Sequence, residues 1–413
     1  MHNTEALQER VILVAVDRDG MFTVEQSLDE LEELARTGGA VTIDRFSQKR
    51  ERPHPAHYLG KGKIEELKDL ISLTEATGII CDDELTNAQF KNLENALDTK
   101  IMDRTMLILD IFAARAMTAE GKLQVELAQL KYSLGHLTGI GRAMSRLGGG
   151  IGTRGPGETK LETDRRHIRG RIAELSSGLE ELRTHRSILR EGRKHPVVAC
   201  IGYTNAGKST LMNSLSGAGV LAEDKLFATL DVTTRKIELP GGSEILLADT
   251  VGFIQKLPHH LIQAFRATLE ELRYADILLH VVDASSEIRD EQMSVVYKTV
   301  ADLGYSDKPV ITVLNKTDKD GVLKFPADPK AKVSIAISAL NSDGLHELTL
   351  AIEDVLKSFR EKLSVLIPYG EGRLVSMIYG LCEVVSEEHR EAGTHMELYA
   401  DDEMQGRLRA FIV

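Results

Sequence analysis

The sequence lacks any long apolar run and has few cysteines. No hydrophobic stretch approaches the length of about 18 residues that a membrane-spanning helix needs. The apolar run Val11–Val16 is too short for the core of a signal peptide, and charged residues follow it. Three scattered cysteines, Cys81, Cys200 and Cys382, exclude a disulfide scaffold and indicate buried thiols in a reducing compartment. We therefore expect a cytoplasmic protein without a membrane span.

The chain also lacks an excess of positive charge. Its 413 residues carry a formal net charge of −12 at pH 7, which excludes a protein that binds nucleic acid over its whole surface. Any nucleic acid must therefore be contacted by a local basic patch. The length predicts about two to four domains.

A glycine-rich loop stands between a predicted strand and a predicted helix in the middle of the chain. It follows the apolar run Val197–Ile201 and reads G-x-x-x-x-G-K-S, the pattern of a phosphate-binding loop. Backbone N–H groups of such a loop surround a phosphate, and the helix adds its positive N-terminal end. An ordinary glycine turn, the alternative, requires neither the lysine nor the serine. The residues of the loop are Gly202, Tyr203, Thr204, Asn205, Ala206, Gly207, Lys208 and Ser209.

Three more motifs follow at the ends of apolar strands, in the order that a GTPase needs. In Asp249-Thr250-Val251-Gly252, the carboxylate can organise the hydration shell of Mg²⁺ and Gly252 can offer its N–H group to the γ-phosphate. In Asn315-Lys316-Thr317-Asp318, the last carboxylate can accept two hydrogen bonds from guanine, whereas adenine would leave it unpaired. Ser338-Ala339-Leu340 can cover the base from the other side. Together the motifs predict a guanine-nucleotide site.

Several side chains have predicted roles in hydrolysis. Lys208 should reach the β- and γ-phosphates, and Ser209 should hold Mg²⁺. Phe253 follows D-x-x-G at the place where many GTPases have a glutamine that orients the attacking water. We therefore expect slow intrinsic hydrolysis, which rises when a partner or another residue positions the water. The Asn205 amide could coordinate a monovalent cation such as K⁺ or make a hydrogen bond that stabilises the loop. The catalytic set is thus predicted as Lys208, Asp249, Gly252 and Asn205.

Switch I is predicted between Phe227 and Arg235. One threonine of this segment should contact Mg²⁺ and the γ-phosphate. Spacing alone leaves Thr229, Thr233 and Thr234 open.

A basic helical arm is predicted before the phosphate-binding loop. Leucine and isoleucine recur at steps of three and four from Leu123 to Leu137 and from Ile168 to Leu189, with Arg186 at one of these positions, which predicts two long helices. The glycine-rich segment 138–158 between them would form the tip. From residue 142 to residue 194 there are 13 lysines or arginines and 7 acids. The tip arginines Arg142, Arg146 and Arg154 favour contact with structured RNA; the alternative is a solvated coiled-coil surface.

The remaining segments predict two smaller α/β units. Short apolar runs alternate with helical patterns over the first hundred residues, which indicates a parallel sheet covered by helices. We interpret the segment between Arg45 and Gly60 as a basic surface loop, although His54 and His57 could instead form a metal pair. After Glu361, the pattern predicts a small α+β domain.

The predicted fold class is α/β with four parts. An N-terminal parallel β-α domain covers residues 1–118, and a long antiparallel helical hairpin with a glycine-rich tip covers residues 119–195. A Ras-like P-loop G domain covers residues 196–360, and the small α+β domain covers residues 361–413.

Five runs together resemble the HflX family of ribosome-associated P-loop GTPases. They lie at residues 58–63, 148–159, 202–209, 226–231 and 249–254. The resemblance implies a monomeric cytoplasmic GTPase that binds GTP or GDP and contacts the large ribosomal subunit through ribosomal RNA. Members of the family are associated with splitting or rescuing stalled and idle ribosomes. Their arm and tip reach toward the peptidyl-transferase region.

The resemblance also assigns residues in switch I. It implies that Thr229, with Ser209, holds Mg²⁺, and Thr233 stays the rival. Val232 departs from the proline that is common in relatives, which bears on the rigidity of switch I. The nucleotide-binding residues implied here are Phe227, Ala228, Thr229, Leu230 and Asp231.

Two other functions stay open from sequence. A tRNA-modification GTPase, or another RNA-associated cation-dependent GTPase switch, would share the loop chemistry, but no modification domain is recognisable. An interaction protein could use the G domain only as a fold.

Overall fold

The computed structural model describes residues 8–144, 156–191, 195–217, 226–227, 233–257, 271–319, 327–359, 361–400 and 402–413. No helix among these residues combines the length and the apolar character that a membrane crossing would require.

Four parallel strands and four helices form the N-terminal domain, as predicted. The strand order is β2-β1-β3-β4. The strands are β1 (Arg10–Asp17), β2 (Val41–Lys49), β3 (Gly78–Cys81) and β4 (Lys100–Asp103). The helices are α1 (Val24–Thr37), α2 (Lys61–Thr74), α3 (Asn87–Leu97) and α4 (Arg104–Arg115).

Strand β2 corrects one prediction, because the basic loop was expected to begin at Arg45. The strand instead continues to Lys49, which pairs with Asp17 at the end of β1. Exposed Arg45 and Lys49 alternate with the partly buried Phe46. This edge strand has a polar outer face, and for that reason its second half resembles a loop in sequence.

Two long helices form the arm. They are α5 (Ala119–Met144) and α6 (Pro156–Glu191). Their contact is made by Leu127, Leu175 and Leu179, with the Arg171 guanidinium donating to Glu126 at 2.7 Å. Helix α6 begins at Pro156, inside the segment predicted as the tip, because proline is favoured at the first position of a helix.

The segment 138–158, predicted as the tip, is helical at both of its ends. Both helices extend into that segment, and residues 145–155 lie outside the described residues.

A six-stranded sheet forms the G domain, which confirms the predicted α/β fold class of a P-loop GTPase. The strand order is β10-β9-β8-β5-β7-β6, and only β6 runs antiparallel to its neighbour. The strands are β5 (Val197–Gly202), β6 (Thr233–Glu238), β7 (Glu244–Asp249), β8 (Ile277–Asp283), β9 (Val310–Asn315) and β10 (Val333–Ala336). The helices described here are α7 (Lys208–Ser216), α8 (Glu271–Tyr274), α9 (Arg289–Asp302) and α10 (Leu345–Lys357). Strands β5 and β9 are buried throughout, as expected for a parallel sheet covered on both faces.

The C-terminal unit is an antiparallel sheet with helices. The strand order is β11-β13-β12. Its elements are β11 (Glu361–Ile367), α11 (Gly372–Leu381), β12 (Glu383–Arg390), β13 (Gly393–Ala400) and α12 (Asp402–Leu408). Helix α12 was not predicted, because only Met404 and Leu408, one turn apart, show its buried side.

One hydrophobic core joins the N-terminal domain, the base of the arm and the G domain. It contains Phe112 of α4, Tyr132 of α5 and Phe253 after β7. The rings of Phe112 and Phe227 meet edge to face, with centroids 4.6 Å apart. The N-terminal domain is therefore packed against the same face of the G domain that carries Phe253.

Candidate nucleotide-binding site

The phosphate-binding loop joins β5 to α7, as the motif predicts. Gly207 has a φ of +93°, and a Cβ atom there would lie 2.3 Å from Asn315 Nδ2, so only glycine fits. The N-cap residue of α7 is Gly207, which has no side chain to cap the helix, and the N-terminus of a helix favours an anion. Thr204 Oγ1 is buried and has no hydrogen-bond partner within the described residues. The loop thus offers the Thr204 hydroxyl and the N-terminal end of α7 to a phosphate.

Lys208 is held inside this loop. Its Nζ donates to the carbonyl oxygens of Gly202 at 3.1 Å and Tyr203 at 2.8 Å. Burial lowers the pKa of Lys208 to about 8, although the Asp249 carboxylate acts in the opposite direction. A bound polyphosphate would place further negative charge beside the Lys208 ammonium and so favour its charged form.

Ser209 and Asp249 lie side by side at the end of β7. The Ser209 hydroxyl donates to Asp249 Oδ2 at 2.8 Å, and the Thr250 hydroxyl donates to the Cys200 carbonyl at 2.6 Å. Adjacent hydroxyl and carboxylate oxygens are the hard donors that Mg²⁺ prefers, so these two residues fit that ion. Thr229, the other predicted ligand, lies outside the described residues, as do Ala228, Leu230 and Asp231. Phe227 is described, and its side chain is buried against Phe112.

Switch II is the segment predicted from Asp249 to His260, and its start is paired with the phosphate-binding loop through the backbone. Phe253 N donates to the Gly202 carbonyl at 3.0 Å, and Thr204 N donates to the Phe253 carbonyl at 2.8 Å. A Cβ atom on Gly252 would lie 3.0 Å from Lys208 Nζ, so a side chain there would intrude on the lysine. The Phe253 side chain is 2 % exposed and points into the shared core. The ring is therefore not available to contact an attacking water.

The two base-recognition motifs are brought together by Asn315. Its Nδ2 donates to the Ala206 carbonyl at 2.9 Å, and the Ala339 N–H donates to its Oδ1 at 2.9 Å. The Ser338 hydroxyl donates to Asp318 Oδ1 at 2.6 Å, which orients an otherwise exposed carboxylate. Thus the phosphate loop, the N-K-x-D motif and the S-A-L motif form one continuous site.

The remaining residues of the three motifs after the phosphate-binding loop lie around the margins of the site. Thr317 N donates to the Ile337 carbonyl at 3.2 Å, and the Leu340 side chain is exposed. Val251 is buried behind the D-x-x-G turn. Lys316 pairs with Asp283 Oδ2 at 2.8 Å. Sequence reasoning missed Asp283, although its position at the end of an apolar strand was a usable signal.

Asn205 occupies the most open position of the phosphate-binding loop. It has a φ of +59° and is exposed. Within the described residues its side chain makes no hydrogen bond, so the loop-stabilising bond considered from sequence is not seen there. The amide is open toward solvent and a ligand.

His54 and His57 do not form a metal site with other residues that the structure describes. His54 Nδ1 accepts hydrogen bonds from the N–H groups of Ala56 and His57, each at 3.2 Å. No group of three His, Cys, Asp or Glu residues suited to a metal ion occurs in the described ranges. The backbone contacts assign His54 to stabilising its own loop.

Three family profiles match successive parts of the chain. The profile described as "GTP-binding GTPase N-terminal" matches residues 25–113, and "GTP-binding GTPase Middle Region" matches residues 115–193. The profile described as "50S ribosome-binding GTPase" matches residues 197–316.

Curated relatives match over nearly the whole length. The chain is 54 % identical to GTPase HflX of Lacrimispora saccharolytica over 401 residues, which cover 96 % of this chain and 95 % of that protein. It is 52 % identical to GTPase HflX of Caldanaerobacter subterraneus subsp. tengcongensis, with 98 % and 94 % covered. It is 40 % identical to GTPase HflX of Escherichia coli (strain K12), with 94 % and 92 % covered.

Proposed function

The chain belongs to the HflX family of GTPases and is a GTP hydrolase, and from this premise we propose that it acts on the large ribosomal subunit in ribosome splitting, rescue or recycling. The match of the G domain to a profile described as a 50S ribosome-binding GTPase carries this proposal. We place the protein in the cytoplasm as a monomer, and we keep the division into domains at residues 118, 195 and 360 as part of the proposal.

Guanine nucleotide is held at three points in this proposal. The N–H groups of the phosphate-binding loop and Lys208 bind the β- and γ-phosphates. Asp318, oriented by Ser338, accepts two hydrogen bonds from guanine. The Gly252 N–H group donates to the γ-phosphate, which GDP lacks.

Hydrolysis proceeds by in-line attack of water on the γ-phosphate. Lys208 neutralises the negative charge that develops on the phosphoryl oxygens. Ser209 and Asp249, with Thr229 or Thr233 from switch I, would hold Mg²⁺, which when bound offsets phosphate charge. Because Phe253 is packed in the core, another group must orient the water. The ribosomal subunit supplies or organises that group, and in this proposal the Asn205 amide coordinates K⁺ beside the phosphates.

The arm carries the nucleotide signal to RNA. GTP orders the switches, the ordered state favours docking of the arm on ribosomal RNA, and hydrolysis releases it. Arg142 lies at the end of α5, and Arg146 and Arg154 follow outside the described residues. Their guanidinium groups contact RNA phosphates at the tip.

GTP turnover by the purified protein, alone and with large ribosomal subunits, tests the proposal. We expect strong stimulation by the subunits and loss of that stimulation when Arg142, Arg146 and Arg154 are all replaced by alanine. The same measurements in K⁺ and in Na⁺ test Asn205. A K⁺-dependent activity that ignores the subunits would contradict the ribosomal role and favour another RNA-associated GTPase.

A further inference from the structure

Five side chains connect the N-terminal domain to the nucleotide site. Glu30 of α1, Asp82 after β3 and Arg104 of α4 come from the N-terminal domain, and Tyr203 and Lys256 come from the G domain. We call this group the interdomain clamp.

The N-terminal half of the clamp is built around a buried arginine. Arg104 is 1 % exposed, and its guanidinium contacts Glu30 Oε1 and Asp82 Oδ1, each at 2.6 Å. It also donates to the Ser27 carbonyl at 3.1 Å. A buried guanidinium is tolerated only when its donors are paired, and its planar fork fixes the directions of its acceptors. Arg104 therefore holds two carboxylates in fixed positions at the surface that faces the G domain.

The charge state of Asp82 follows from this arrangement. Burial alone would raise the pKa of Asp82, but Arg104 and Lys256 outweigh burial and lower it to about 2. Asp82 is therefore a stable anion near neutral pH. It is a suitable partner for a lysine that comes from another domain.

The other half of the clamp touches both phosphate-contacting segments. The Tyr203 hydroxyl, on the phosphate-binding loop, donates to Glu30 Oε2 and accepts a hydrogen bond from Gln255 N at 2.9 Å. Lys256, in switch II, contacts the Asp82 carboxylate through Nζ and lies 3.3 Å from Asp83 Oδ1. The N-terminal domain thus contacts both the phosphate-binding loop and switch II.

Lys256 also has an unusual backbone. Its φ is +53°, in the left-handed region that residues with a Cβ atom adopt at a cost. The ion pair with Asp82 offsets that cost. Without the ion pair, the segment from Gly252 to Lys256 would keep the backbone bonds of Phe253 to the phosphate-binding loop but lose its direct contact with the N-terminal domain at Lys256.

We propose that the interdomain clamp is a positioning device for GTP. By holding Lys256 directly, and Gln255 through the Tyr203 hydroxyl, the N-terminal domain keeps Gly252 beside Lys208, where its N–H group can donate to the γ-phosphate. GDP has no γ-phosphate, so it does not need this position of Gly252. The clamp therefore favours GTP over GDP. The proposal rests on the GTPase activity and does not depend on the ribosomal role.

The test measures nucleotide affinity of the full chain without ribosomes. Fluorescent GDP and a fluorescent, non-hydrolysable GTP analogue are titrated into the wild type and into Lys256→Met. Lys256 is partly exposed, so we expect the variant to fold. We expect the Kd for the GTP analogue to rise at least about fivefold while the Kd for GDP stays within about twofold. Lys256→Arg, which keeps the charge, should restore most of the selectivity.

A matched control comes from the neighbouring ion pair. Arg18 pairs with Asp83 within the N-terminal domain, so Arg18→Met removes a nearby cation without breaking a contact to the G domain. Its selectivity should equal that of the wild type. A double-mutant cycle combines Lys256→Met with Asp82→Asn. The double variant should lose no more selectivity than the more affected of the two single variants, because both substitutions break the same contact.

Two results would overturn the proposal. One is an unchanged ratio of the two affinities in Lys256→Met. The other is an equal loss for both nucleotides with a lower melting temperature, which would show that the clamp only docks the domains.

Discussion

Asn315 should be the residue on which the assembly of the nucleotide site depends most. It is 2 % exposed and bonds to Ala206 on one side and to Ala339 on the other. Asn315→Ala removes both bonds. The Ala206 carbonyl and the Ala339 N–H group would then be buried without a partner.

The cost of this substitution can be worked out from these two groups. A buried polar group that loses its partner costs about 1–3 kcal/mol, so the pair amounts to roughly 2–6 kcal/mol. For a domain of this size, about 1 kcal/mol shifts the melting temperature by roughly 2–4 °C. We therefore expect Asn315→Ala to melt at least about 4 °C below the wild type and to lose affinity for both GDP and GTP.

Calorimetric melting of the G domain, with and without GDP, measures both effects. Asn341→Ala is the matched control, because Asn341 is an exposed amide two residues after Ala339. An exposed substitution of this kind should change the unfolding free energy by no more than about 0.5 kcal/mol. The reasoning is refuted if Asn315→Ala melts within 1 °C of Asn341→Ala and keeps normal affinity for GDP.

Three further predictions concern the same domain. Asp318→Asn removes an acceptor of two hydrogen bonds, so GTP affinity should fall about 10²- to 10⁴-fold while xanthosine triphosphate binds better, as competition titrations can measure. Gly207→Ala places a Cβ atom 2.3 Å from Asn315 Nδ2 at a φ of +93°, so nucleotide binding should fall at least about 100-fold in filter-binding assays; normal binding would contradict this packing. Burial lowers the pKa of His280 from about 6.5 in the unfolded chain to about 4 in the folded protein. The contribution of the neutral imidazole to the free energy of unfolding is therefore complete above about pH 6.5. About 3 kcal/mol of that contribution is lost as the pH falls to 4. Urea unfolding at both pH values should show that His280→Leu removes this part of the acid sensitivity, and an unchanged pH dependence would argue against it.

The motifs of the nucleotide site were predictable because each is contiguous in sequence. A phosphate-binding loop needs a strand, glycines, a lysine and a helix in immediate succession, and Gly207 and Lys208 show that order directly. The parallel sheet could be predicted for a similar reason, since its buried strands are continuous apolar runs. The structure adds that Asn315 links these motifs, which spacing alone does not reveal.

Contacts between distant parts of the chain were not predictable. Lys256 meets Asp82 across 174 residues, and Tyr203 meets Glu30 across 173 residues. A charged side chain shows its preference for an opposite charge but not which one the fold brings near. The same limit explains why Asp283 was missed.

Two elements were not predicted from the local sequence pattern because most of their side chains are polar. Strand β2 has one solvent-facing side, and helix α12 buries only Met404 and Leu408 among the apolar residues seen in its short span. Neither element has enough apolar residues to show a clear period.

Co-sedimentation of the protein with purified large ribosomal subunits tests the central claim most directly. The claim predicts that the protein sediments with the subunits when a non-hydrolysable GTP analogue is bound, and much less when GDP is bound. Replacing Arg142, Arg146 and Arg154 with glutamate should abolish that difference by removing the RNA contact. Equal sedimentation in both nucleotide states, or none in either, would contradict a GTP-controlled ribosome factor.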